Sequence, residues 1–429
     1  MADFVLATMP FAGHVNPLLP VARALVTRGH TVRWLGSDPF HAAIAATGAR
    51  FTPMSETVAV DSVTIAARFP ESQRLTGVAA VRWALSNVFF KPVPDQVADL
   101  RRLVDERPPD VLACDSAFVG GGVLHELTGL SWATVGMVPL GLRSRDTAPF
   151  GPGLPPSTTP LGRLRNRALN EVFERVVLRQ VRAQYQDIRA GLGLPELTAP
   201  LLDAISPALH LQNGVAEFEY PRSDLPAQVH FVGALVPPSG HVPLPDWWDE
   251  VESADRPVVH VTQGTTVKDL DDLVLPTIRL LADDDVLVVA NIGDRDAATF
   301  GPLPANARVA RFIPHDRLLP RIAAMITNGG YGAVQTALLH GVPLVVAGNT
   351  EDKPEVAARV AWSGAGVNLR TARPAPARLR AAIDAVLGDG DYRRNAERLR
   401  TAYRKFDAGV RSAELLERLA TTRKPVLAG

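Results

Sequence analysis

Short apolar runs recur along the chain, separated by longer amphipathic stretches, the pattern of strands alternating with helices. In the first half the runs are residues 4–8, 31–35, 49–52, 110–114, 131–135 and 209–212. Between them, 18–28 and 121–127 read as helices. Residues 176–189 read as a long surface helix with Val176, Val177, Val181 and Tyr185 at helical spacing. Prolines and glycines at 236–245 break the alternation, which then restarts with runs at 257–262, 286–290, 307–312, 323–327 and 343–347. Helical stretches at 270–281 and 354–362 intervene, and the chain is helical and charged after Arg378. Such alternation predicts an α/β protein of two parallel sheets, each covered by helices on both faces, with ligands beyond the carboxyl ends of the strands.

Length agrees, since 429 residues exceed one core and suit two domains of roughly 200 residues. The divisions are 1–215, a linker at 216–245, 246–405, and a last helical segment at 406–429 that is expected to pack back on the first domain. Residues 145–160, crowded with proline and glycine, are expected to be the most flexible. Apolar content of 46% with 21% charged residues is ordinary for a globular chain. Lys plus Arg equals Asp plus Glu at 45 each, so no basic excess points to nucleic acid or an anionic membrane surface. The single cysteine, Cys114, excludes an internal disulfide and reads as a small core residue. The start, MADFVLATMP, lacks the basic region and cleavage pattern of a signal peptide, and no apolar run reaches about 18 residues. A cytoplasmic protein without stable membrane insertion is expected, as a monomer or a homodimer.

The polar residues that carry chemistry sit where the strands end. Asn328, Gly329, Gly330 and Gly332 follow the run 323–326, and a helical pattern begins near Ala333. This places backbone N–H groups at a helix N-terminus, ready for phosphate oxygens. Glycines that only tighten a loop give the same string. A second turn, 349–353, follows the next run and supplies Glu351, Asp352 and Lys353. After the first strand comes Gly13-His14-Val15-Asn16-Pro17, with an imidazole suited to removing a hydroxyl proton near neutral pH. Asp115 closes another strand of the same half and could fix the tautomer of His14, although it reads equally as a helix N-cap. Gly264 and Thr265 form a small polar turn able to offer donors to phosphate. Phe312 and His315 border a further strand end, where His315 is as well read as a surface histidine.

Together these residues resemble the bacterial family 1 glycosyltransferases of the antibiotic and macrolide type, built on the GT-B fold. Gly13-His14-Val15-Asn16-Pro17 is close to the family's GHxNP element, and Phe312-x-Pro314-His315 resembles its W/F-x-P-Q/H element. Asn328-Gly329-Gly330-Tyr331-Gly332 resembles its H-G-G-x-G turn. Gly341-Val342-Pro343 is followed nine residues after Pro343 by Asp352-Lys353, as in its D/E-Q element. The resemblance runs from Gly13 to Lys353. It implies His14 as the base that deprotonates an acceptor, with Asp115 as its partner. It implies a donor site at Gly264, Thr265, Phe312, His315, Asn328, Gly329, Gly330, Gly332, Ala333, Asp352 and Lys353. An acceptor surface is implied at Phe89, Phe90, Phe118 and Met137, residues that core packing also explains. Four positions depart from the family pattern: Asn328 for histidine, Ala333 for a hydroxyl residue, Thr336 for glutamate and Lys353 for glutamine.

The function so implied is inverting, metal-independent transfer of a sugar from a UDP or TDP donor to a hydroxyl of a small, largely apolar natural product. The nucleotide sugar is a co-substrate, no cofactor is needed, and no clustered metal ligands are visible. Two rivals remain at this stage. One is an auxiliary homologue that activates a partner transferase, and the other is a nucleotide-sugar 2-epimerase of the same fold.

Overall fold

The computed structural model describes residues 1–237, 243–264, 269–293, 295 and 301–428. Among them, β1 (Asp3–Ala7), β2 (Thr31–Gly36), β3 (Arg50–Pro53), β4 (Val111–Asp115), β5 (Trp132–Gly136), β6 (His210–Gln212) and β7 (Val229–Phe231) form one sheet. Its order is β3-β2-β1-β4-β5-β6-β7, and every neighbouring pair is parallel. A second sheet contains β8 (Val258–Thr262), β9 (Leu287–Asn291), β10 (Ala307–Ala310), β11 (Ala324–Thr327), β12 (Leu344–Val346) and β13 (Gly366–Asn368). It runs β10-β9-β8-β11-β12-β13, again all parallel.

Side chains alternate between two cores in each sheet. Phe4 and Leu6 pack with Leu18, Val21 and Leu25 of the helix Leu18–Thr27. Val5 and Ala7 face the other way, onto Val93, Val97 and Leu100 of the helix Val93–Glu106. Burial on both faces is why these strands read as unbroken apolar runs. Each sheet also has a reversal in strand order. β1 lies between β2 and β4, and β8 lies between β9 and β11. At such a reversal the loops diverge to opposite faces and leave a crevice beyond the strand ends.

Several boundaries differ from expectation for local reasons. β7 and β13 were not anticipated, because three-residue edge strands carry too little periodicity. The first sheet therefore extends to Phe231, inside the stretch expected to be linker, of which residues 238–242 lie outside the described residues. The surface helix starts as a wide turn at Phe173–Val177 and continues as Arg179–Gly191. Residues 145–160, expected to be flexible, are held at many points. Asp146 is fully buried, bonded to the backbone N–H of Ser223 at 2.7 Å, its hydroxyl at 2.6 Å and the Arg163 Nε at 2.8 Å. Burial alone would push that carboxyl up, but these bonds from Ser223 and Arg163 hold it at about 2.

After the second sheet the chain returns to the first. The helix Ala408–Thr422 puts Ala413, Leu415, Leu416 and Leu419 into the core that holds Phe4 and Leu18. Beyond it, Val426 N–H donates to the Ala208 carbonyl at 2.8 Å. No helix among the described residues is long and apolar enough to cross a membrane. Close docking of the returning helix rests on Gly409, where an added Cβ would lie 2.8 Å from the Pro20 carbonyl oxygen. Gly409→Ala is expected to cost about 1–3 kcal/mol, read as a lower urea midpoint with an unchanged slope.

Candidate active site

His14 and Asp115 meet at the reversal point of the first sheet, because β1 and β4 are paired neighbours with Ala7 opposite Cys114. Beyond β1 the chain turns into the short helix Ala12–Val15, which carries His14 outward over the end of β4. Its Nδ1 stands 3.1 Å from Asp115 Oδ2, within ion-pair reach but off the straight N–H···O line of a full hydrogen bond. The Asp115 side chain is 0% exposed and that of His14 is 18% exposed. Two backbone N–H groups secure the carboxylate: Met9 donates to Oδ2 at 2.7 Å and Ala117 to Oδ1 at 2.6 Å. The helix after β4 begins only at Gly120, with Val119 as its cap, so Asp115 is not an N-cap. Phe11 flanks the imidazole at a ring-centroid distance of 5.6 Å.

Burial pulls the His14 imidazole down, but the adjacent Asp115 carboxylate pulls it up and the net shift is upward from the ordinary value. Asp352 and Glu351 of the second domain add smaller upward contributions. The charges of the loop after β12 are thus felt at the loop after β1. Asp352 is itself pushed up to about 6 by burial, with Glu351 adding to the shift, while Lys353 and His14 oppose it. Lys353 is buried, and its ammonium pairs with Glu351 and lies 3.4 Å from Thr350 Oγ1. Glu351 adopts φ of 56°, the left-handed region that a non-glycine residue rarely occupies.

The glycine-rich turn occupies the reversal point of the second sheet. β8 and β11 are paired with Thr262 opposite Thr327, so Gly264 and Asn328 leave the sheet side by side. Asn328 Nδ2 donates to the Gln263 carbonyl and ties the two turns together. Gly329, at φ of 87°, has no room for a Cβ, which would meet Val346 at 2.6 Å. The helix Tyr331–Leu339 starts directly after Gly330, two residues before the expected start. Gly330, Gly332 and Ala333 are partly or fully exposed there, and an added Cβ on Gly332 would meet nothing within 4 Å. Open space over a helix N-terminus leaves its N–H groups free for an anion. Thr336 instead turns its hydroxyl back to the Gly332 carbonyl at 2.7 Å.

The structure does not bring every expected residue to the cleft. Phe90, Phe118 and Met137 are core residues, between 1% and 4% exposed. Phe90 packs on Tyr185 at 4.6 Å, and Phe89 is half-buried against the same core. In this form they offer an acceptor little surface. His315 lies edge-on to the buried His260 at 5.4 Å, whereas Phe312 is 47% exposed beyond β10. Thr265 lies outside the described residues. The spacing gave no sign of Met9 and Ala117 as anchors of Asp115, since backbone donors leave no mark in a sequence. Among the described residues no group of three or more His, Cys, Asp or Glu could hold a metal ion.

Residues 276–406 match the family described as Erythromycin biosynthesis protein CIII-like, C-terminal domain. The chain is 46% identical to 4'-demethylrebeccamycin synthase of Lentzea aerocolonigenes over 421 residues, covering 97% of this chain and 99% of that one. It belongs to the bacterial family 1 glycosyltransferases of the antibiotic type. UDP-glycosyltransferase 2 of Phaeomoniella chlamydospora is 36% identical, over 97% of this chain and 95% of that one. The glycosyltransferase of kitacinnamycin superposes with a TM-score of 0.76 at 22% identity, covering 97% and 98% of the two chains. Its fold and this one are the same two-sheet GT-B architecture. The protein is therefore an enzyme, a glycosyltransferase.

The His14–Asp115 pair yields a direct measurement on this transferase. His14 is expected to titrate above the ordinary imidazole value by NMR, and Asp115→Asn is expected to move it down, because the main group opposing burial is then gone. A raised folded value means the pair stabilises the fold fully below the unfolded pKa, and that contribution is lost as pH rises through the folded value.

Proposed function

We propose that the enzyme inverts the anomeric centre of a UDP- or TDP-linked sugar while transferring it to a hydroxyl of a small, largely apolar natural product. The observation that carries this reading is the apposition of His14–Asp115, at one sheet reversal, to Asp352, which follows the next strand beyond the glycine-rich turn. Asp115 faces Nδ1 and so leaves Nε2 to take the acceptor proton. The freed oxygen attacks the anomeric carbon from the side opposite the diphosphate. One C–O bond forms as the bond to the leaving phosphate oxygen breaks, and the electron pair departs with the nucleoside diphosphate. Charge developing there is met by backbone N–H groups around Gly330 and Gly332, with Gly264 alongside. Asp352 and Lys353 would face the sugar, Phe312 and His315 the base, and Asn328, Gly329 and Ala333 complete the donor wall.

A natural-product acceptor is supported by the name of the 46% identical relative, 4'-demethylrebeccamycin synthase. A metal-independent route agrees with a phosphate site built from a helix N-terminus, and it predicts that transfer persists in excess EDTA. His14→Ala is expected to lower kcat by about 10²–10⁴ with nucleotide affinity unchanged; full activity would remove His14 as the base. The acid limb of kcat/KM should fall above 6.5 and move down in Asp115→Asn, since only neutral His14 accepts a proton. Gly332→Ala points a methyl into open space, so the fold should persist. UDP affinity by calorimetry should nevertheless drop about tenfold, or 1.4 kcal/mol, if the N–H groups there hold phosphate.

A further inference from the structure

The loop at 149–154, in the long connection after β5, reaches across to the second domain. The N–H groups of Gly151 and Gly153 both donate to Glu355 Oε1, each at 2.8 Å. Glu355 lies in the first turn of the helix Lys353–Trp362, directly after the loop that presents Asp352 to His14. Gly153, at φ of 63°, sits so close that an added Cβ would lie 2.5 Å from the Pro354 carbonyl oxygen. The loop therefore rests on the same turn that carries the donor-side residues.

Behind this contact is a buried charge network. Glu355 Oε2 accepts from Arg359 Nη1 at 2.8 Å. Arg359 in turn pairs with Glu219 through Nη2 at 2.6 Å and Nε at 2.8 Å, and its guanidinium lies 4.1 Å from the Tyr220 ring centre. Glu219 Oε2 also accepts the N–H of Leu140, at the root of the same connection, at 2.9 Å. The Arg359 side chain is 1% exposed. Charges this deeply buried are a weak source of stability, because apolar replacements of similar volume often do as well. What they enforce is one arrangement, since a Glu355 carboxylate turned away from Arg359 or the loop would be left buried without its partners.

We propose that Glu355, held by Arg359, is a positioning residue that latches loop 149–154 to the donor-side turn and so sets how closely Asp352 approaches His14. This builds on the reading of the cleft given above. Two variants attack the latch from opposite sides. Glu355→Ala removes the acceptor of both N–H bonds, and Gly153→Ala forces the loop off Pro354 while leaving every charged group in place. The readout is the NMR titration of His14 in the full chain, without substrate. In each variant that approach relaxes and His14 should titrate lower than in the wild type. The double variant should go no further than the single ones, because both break one contact. Gly153→Ala carries the test if Glu355→Ala fails to fold. An His14 titration unchanged in Gly153→Ala, or additive shifts in the double variant, would overturn the latch. Absence of sugar transfer by the wild-type enzyme would sink the proposed function but leave this titration readable.

Discussion

The buried carboxylate of Asp115 is the constraint around which the cleft is built. An ionised group inside a protein is costly unless hydrogen bonds replace its hydration. Here the replacements are two main-chain N–H groups, from Met9 and Ala117, that belong to the two loops leaving β1 and β4. The carboxylate thus fixes both loops at once. His14 inherits its position from them, and its ring needs no other strong tether. On the proposed reading, that economy leaves the far nitrogen of the imidazole to serve as the base.

The same geometric rule operates twice. In each sheet the pair of strands flanking the reversal supplies the two facing turns: β1 and β4 in the first, β8 and β11 in the second. Parallel register keeps the paired strands ending level, so residues more than sixty positions apart in sequence emerge side by side. The chain then crosses between the domains twice, and Gly233 lies against Phe406 where the crossings touch, with 2.7 Å to an added Cβ.

Much of this was legible in the sequence. The five- and six-residue strands, each with at least three buried apolar side chains, declared themselves, and His14, Asp115 and the glycine-rich turn stood out as polar residues held to strand ends. The rest was hidden for physical reasons. β7 and β13 are too short to show a period. The helix expected from residue 270 starts in regular form only at Val274, because Gln263 Oε1 reaches forward to accept the N–H groups of Leu273 and Val274. Phe90 and Phe118 could not be assigned to cleft or core from type alone, since both want the same apolar surroundings. Glu355 and Arg359 look like an ordinary surface pair one helical turn apart. Only the partner Glu219, 140 residues away, turns them into a buried network.

The departures from the family pattern share a direction. Asn328 uses its side-chain amide as a strut to the Gln263 carbonyl, Ala333 has no hydroxyl to offer, and Thr336 turns its own hydroxyl back on the helix. Polar side chains are withdrawn from the glycine-rich turn, and the main chain is what remains to bind an anion. Backbone donors recognise phosphate without distinguishing the sugar or the base attached to it. On the proposed reading, discrimination among donors then shifts to the turn carrying Glu351, Asp352 and Lys353. Glu351 sits in the left-handed region, a conformation worth about 1–3 kcal/mol of strain, and the ion pair with buried Lys353 holds it there. A strained turn persists only where its surroundings over-determine it. The lysine is thus better understood as the brace of that turn than as a stray replacement for glutamine.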